Sequence, residues 1–157
     1  KSFHGAKSWS IVLSAEAVGY VVGSLLGMRV KPKYPMRFLM VMTFSVSVYI
    51  FTLAGPLKLW MIAAAAFVWG ISLDLWGAIW TTALQKEVPR DSLSRVSAFD
   101  GMGSLSLRPL GLAIAAPVAD WLGLTRALEI FAGLSAVVIA ATLFVPQVWN
   151  MQFSDNS

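Results

Sequence analysis

"LWMIAAAAFVWGISLDLWGAIWTTALQ", Leu59 to Gln85, decides the class of fold. It contains one ionisable side chain, Asp74, in a run longer than the roughly 20 apolar residues that carry a helix across a bilayer. Gly70, Asp74, Gly77, Thr81 and Gln85 recur at helical spacing, so they share one face of that helix.

Outward from this run, four more segments have spanning length: Ser8–Met28, Met36–Leu53, Ser94–Leu122 and Leu128–Val148. With Leu59–Gln85 third in order, the five are helices a to e. The connectors are turn-like: "RVKPKYPMR" between a and b, "AGPLK" between b and c, "KEVPRDSLSR" between c and d, and "GLTR" between d and e. Asp91 or Ser92 is the expected N-cap of helix d. The tail "QFSDNS" is polar and expected to fray. The reading is an all-α, polytopic transmembrane bundle of about five helices.

Composition agrees. Of 157 residues, 57% are hydrophobic and 13% charged, where a soluble domain carries about 25% charged residues. A soluble chain of this size could not hide so much apolar surface. Seven tryptophans suit a protein with interfacial aromatics. Cysteine is absent, which excludes disulfides, thiol catalysis and cysteine metal sites. The net charge of +4 sits between the apolar runs, so it reads as a topology signal and not as a nucleic-acid surface. His4 is the only histidine and lies at the start of the chain, where it reads as a boundary residue. No nucleophile–base pair, metal cluster or phosphate-binding glycine loop is present in the sequence, so neither an enzyme nor a cofactor is expected. The chain begins at Lys1 without an initiator Met or a signal-peptide pattern, and reads as a fragment or processed piece.

Alternating topology gathers Arg29, Lys31, Lys33, Arg37, Lys86, Arg90 and Arg95 on one side, and Lys1, Lys7, Lys58 and Arg126 on the other. Short basic loops stay cytoplasmic, which places the a–b and c–d loops and the C-terminus inside a cytoplasmic membrane.

Charge divides the helices. The central stretches of b and e hold no ionisable residue, whereas a holds Glu16, c holds Asp74, and d holds Asp100 and Arg108. A charge at the bilayer centre costs about 2.5–3.5 kcal/mol on insertion scales, so it faces protein or water. Helices a, c and d are therefore expected inside and b and e against lipid. At 1.5 Å per residue, Glu16, Asp74 and Arg108 lie about 18, 16 and 21 Å from the inner ends of their helices, close to the midplane. One base and two acids at one depth can share a polar site. On helix d, Asp100, Ser104, Arg108, Gly111 and Ala115 share a face, as the helix c set does; either face reads as a wet cavity wall or as a close-packing stripe. Ala15, Gly19, Gly23 and Gly27 repeat every fourth residue on helix a, a small-residue seam whose partner can be a helix outside this chain. Pro109 and Pro117 free the carbonyls of Leu105 and Ala113 and are expected to bend helix d near Arg108, either at a transport site or as a static kink.

The segment "LQKEVPRDSLSRVSAFDGMGSLSLRPLGLAIAAPVADWLG" resembles the tenth-to-eleventh helix region of bacterial major facilitator superfamily drug and siderophore exporters. The similar elements are Leu84-Gln85, Pro89, Ser94-Arg95-Val96, Asp100, Gly103-Ser104, Pro109 and Gly111. Helix a and its basic, proline-containing loop resemble the eighth helix and the loop after it. The resemblance implies that residues 1–157 form a partial C-terminal transmembrane domain, helices eight to twelve, lacking the seventh helix and the N-terminal six. It also implies peripheral b and e helices. The family's Gly-x-x-x-Asp-Arg loop motif is not kept: "GMRVKPKYPMR" has Gly27 but no aspartate, so charge-relay gating there does not carry over.

The expected function is therefore secondary active transport, an alternating-access exporter of small molecules coupled to protons, working with the missing N-terminal half. Glu16 or Asp74 would carry the proton. Arg108 would neutralise a carboxylate, bind an anionic group of the substrate, or form a structural ion pair. The alternative is a non-transporting polytopic membrane subunit whose intramembrane charges are structural.

Overall fold

The computed structural model describes residues 5–30, 32 and 34–143. Over these residues the chain is all-α, with α1 at Gly5–Gly27, α2 at Pro35–Ala54, α3 at Leu59–Glu87, α4 at Arg90–Leu122 and α5 at Leu124–Leu143. All five are long and apolar enough to cross a membrane, the pattern of a multi-pass membrane protein. The 29 residues of α3 and 33 of α4 extend about 44 and 50 Å at 1.5 Å per residue, beyond a hydrocarbon core of about 30 Å. His4, Lys31, Lys33, the continuation of helix e over 144–148 and the polar tail lie outside the described residues.

α1 starts at Gly5 and α2 at Pro35, three residues and one residue before the expected Ser8 and Met36, and the starts of helices d and e differ more. Helix d begins at Arg90 and not at Ser94, and neither Asp91 nor Ser92 caps it. Pro89 holds the N-cap position, and its carbonyl accepts from the Ser92 and Leu93 amides at 3.0 and 2.9 Å. The fixed φ of proline opens the helix early, and Asp91 then lies in the first turn, where its charge suits the helix dipole. Helix e begins at Leu124 and not at Leu128, because the d–e connection is one residue. Gly123 makes it at φ +84°, a conformation that L side chains rarely adopt. The start of α2 uses another proline: Pro35 sits in its first turn, fully buried, and Arg37 lies 4.3 Å over the Tyr34 ring.

The closest helix pair is α1 on α3. A side chain at Gly19 would strike the Phe67 carbonyl, and one at Gly70 the Glu16 carbonyl. A Cβ at Gly23 would stand 2.7 Å from the Ile71 carbonyl oxygen, and one at Gly27 3.1 Å from the Ala78 Cβ. Contacts advance together along both helices, from Gly19 with Gly70 to Gly27 with Ala78, so the pair is parallel. The glycine seam thus has its partner inside the chain, in α3; no outside helix is needed to cover it. Small residues allow this approach because lipid supplies no hydrophobic drive between helices, leaving dispersion between close backbones as the main attraction.

The helices pack in the order α1, α3, α2, α5, α4, with α4 reaching back to touch α3 lightly. Val12, Tyr49, Ile62 and Ala66 form the core where α1, α2 and α3 meet. Across α2 and α5, the buried Ser47 hydroxyl lies 2.7 Å from that of Ser135. The expected division into inner a, c, d and outer b, e is corrected here. Charge-poor α2 is sandwiched between α3 and α5, while charge-rich α4 has no buried residue. Inside this chain the interior is chosen by small residues and shape, not by charge.

Candidate functional site

The intramembrane charges fall into two separate groups. The first lies at the junction of α1, α2 and α3. Glu16 is half-buried on α1, and its carboxylate accepts the Tyr20 hydroxyl at 2.5 Å, one turn along the same helix. The backbone of Glu16 presses on Gly70, so its position is fixed by the seam. Asp74 of α3 is half-buried at the same seam, its Cβ 3.0 Å from where a Gly23 Cβ would stand. Tyr49 of α2 is buried beside this seam, in the core with Val12, Ile62 and Ala66. Glu16 with Tyr20, and Asp74 about two turns of α1 further on, thus line the α1–α3 seam. The helix c stripe is split: Gly70 and Asp74 pack against α1, Gly77 has open space around its Cα, and Thr81 and Gln85 are exposed.

The second group is on α4. Asp100, Ser104 and Arg108 are exposed, and Gly103 and Gly111 have open space around them. Asp100 accepts the Trp80 indole N–H at 3.1 Å, and Trp80 stacks on Trp76 with centroids 5.5 Å apart. This bond is where α4 meets α3. Among the described residues no ion pair joins Arg108 to Glu16, Asp74 or Asp100, and α4 makes no contact with α1. One site shared by Glu16, Asp74 and Arg108 is therefore not assembled among the described residues, where α4 is held at Trp80 of α3 and along α5. Pro109 and Pro117 lie inside α4, and the helix continues through both.

Several participants escaped the sequence reading. Tyr20 was missed although a local signal existed, its place one turn from Glu16 on the same face. Trp80 and Tyr49 reach their partners only through tertiary packing. Among the described residues no three His, Asp or Glu side chains converge as a metal ion requires. A cavity of about 330 Å³ lies at the α1–α3 end, between Gly27, Met28, Val30, Pro32, Ala78, Ile79, Thr82 and Lys86.

No protein-family model, no curated protein and no solved structure matches this chain. The arrangement itself offers carboxylates for proton or cation exchange in a low-dielectric setting, and an arginine for pairing with an anion.

Proposed function

We propose that this chain is part of a secondary active transporter, an exporter of small molecules coupled to protons in the cytoplasmic membrane, with its C-terminus inside. The observation that carries the reading is Arg108: an exposed guanidinium midway along α4, a membrane-length helix with no buried residue among those described. Such a charge is costly against lipid and requires protein or water opposite it. A second transmembrane half, rocking against this one around a midplane cavity, supplies both. The resemblance of Leu84–Gly123 to major facilitator exporters points the same way. In this reading Glu16 and Asp74 are the proton-carrying candidates. Arg108, with Asp100 and Ser104, lines the substrate path.

Proteoliposomes test it. The chain alone is expected to give no saturable, substrate-dependent proton flux. The chain assembled with the seven-helix part implied by the resemblance is expected to give flux that Arg108→Ala abolishes. Saturable flux from the chain alone, or none from the assembly, contradicts the proposal. The competing reading, a non-transporting subunit with structural charges, draws on the dry packing of Gly70 and Asp74 against α1. Water access along α4 separates the two.

A further inference from the structure

We infer that the groove between α2 and α5 is a binding site for an amphipathic amine, with the ammonium at Glu129 and the apolar chain against Phe44 and Val48. This goes beyond transport and does not rest on it. Because α5 begins at Leu124, Glu129 lies in its second turn and not at its end. The 19 residues of the apolar span Leu124–Thr142 extend about 28 Å, close to a hydrocarbon thickness of about 30 Å. Leu124 then marks one membrane edge, and Glu129 lies about 8 Å inside it. Its side chain is exposed on the wall of a groove of about 310 Å³. Among the described residues no hydrogen bond or ion pair reaches the carboxylate, not even from Arg126 one turn away. A carboxylate at this depth is costly unless a cation or water faces it.

The rest of the groove suits one positive charge with an apolar body. Glu129, Ala132, Gly133 and Ala136 form one row of α5, and Phe44, Ser47, Val48 and Phe51 the matching row of α2. From Glu129 the α5 row runs about 10 Å deeper to Ala136 at 1.5 Å per residue. Phe51 lies three residues from the end of α2 at the same membrane edge, level with Glu129, and its exposed ring can face an ammonium. Phe44 and Val48 lie deeper and meet the chain. The hydroxyls beside the groove are engaged with each other. Ser135 donates to the Ala132 carbonyl at 2.9 Å, so Ser47 donates to Ser135 at 2.7 Å. No hydroxyl proton remains for an anion, and the carboxylate only accepts. Depth narrows the class further. The ammonium of phosphatidylethanolamine stands beyond its phosphate in the headgroup layer, and that phosphate would be repelled by Glu129; an amine without a phosphate can settle at the carboxylate. A volume of about 310 Å³ is at the small end of ligand pockets, about 300–1,000 Å³, and suits a single short chain.

Equilibrium dialysis of radiolabelled octylamine against the purified chain in phosphatidylcholine nanodiscs, with empty nanodiscs as the partition background, tests the assignment. One saturable site per chain is expected above that background. Glu129→Gln keeps the size of the side chain and should weaken binding about tenfold or more, the effect of losing a hydrogen bond to a charged group. Gly133→Leu should abolish it by filling the groove. The helices should tolerate that change, because a Cβ at Gly133 meets nothing within 4 Å. Octanol and octanoate, of equal chain length, should not compete. Absence of a saturable site overturns the inference, as do unchanged binding by Glu129→Gln or Gly133→Leu and competition by octanol as strong as that by octylamine. Loss of the site when phosphatidylethanolamine replaces half of the phosphatidylcholine assigns the groove to a lipid headgroup and overturns it too.

Discussion

Replacing Gly23 by alanine adds one methyl group inside the close α1–α3 seam. That methyl would stand 2.7 Å from the Ile71 carbonyl oxygen and 3.0 Å from both the Ile71 Cα and the Asp74 Cβ. Unstrained heavy-atom contacts lie at about 3.5–4.0 Å, so α1 and α3 must part by roughly 0.5–1 Å. A gap of that size forfeits about a quarter to a half of each dispersion contact it opens. Overpacking of this kind costs about 1–3 kcal/mol, and a value of about 2 corresponds to roughly 30-fold in equilibrium. The chain contains 0 cysteines, so a reporter can be built cleanly. Cysteines at Gly27 and Ala78 would have Cβ atoms 3.1 Å apart, a few tenths of an ångström below the usual disulfide range of about 3.5–4.5 Å. Their effective concentration, measured against a glutathione couple in detergent, should fall roughly 30-fold on Gly23→Ala. Gly77→Ala is the control, because a Cβ there meets nothing within 4 Å. An effective concentration unchanged by Gly23→Ala, or lowered equally by Gly77→Ala, refutes the seam.

Trp80→Phe removes the hydrogen bond between α3 and α4, worth about 0.5–1.5 kcal/mol; spin-label distances between the two helices should broaden, and an unchanged distribution counts against the contact. Arg108→Ala should leave thermal unfolding of the isolated chain within about 0.5 kcal/mol of the parent, because the side chain is exposed. Asp74→Asn should not modify that result, since α4 and the α1–α3 seam are separate; a measured coupling would place the two charges together after all. A double-mutant cycle on Ser47→Ala and Ser135→Ala should return about 0.6 kcal/mol, typical of hydrogen bonds between membrane helices; a value near zero means that α2 and α5 are held by packing alone.

The existence of five helices was legible because each run of apolar residues exceeds spanning length and is closed by basic, proline or glycine turns. The start of α3 at Leu59 is where the sequence places it, after the Gly55-Pro56 turn. The starts of α4 and α5 were not, because Pro89 and Gly123 act through backbone geometry that shortens the loops on either side. Periodicity gave the small face of α1 but not the helix it meets: four-residue spacing identifies a surface, whereas the match to Gly70 and Ala78 depends on register. The hydrogen bonds Trp80–Asp100 and Ser47–Ser135 join residues far apart in sequence, and no local pattern marks them. The charge on α4 suggested an inner helix. Among the described residues it is the least covered helix, since burial of a charge depends on what lies opposite, and no described residue pairs with Arg108.

Water access along α4 tests the central claim most directly. Single cysteines placed from Phe99 to Ala115 in a chain held in native membranes can be labelled with a small, membrane-impermeant maleimide. If α4 lines a wet path, labelling should recur about every 3.6 residues, with maxima at the positions of Asp100, Ser104, Arg108 and Gly111 and minima on the opposite face. A scan with no labelling at any of those four positions would mean that the charged face of α4 is sealed against protein, and would contradict the account.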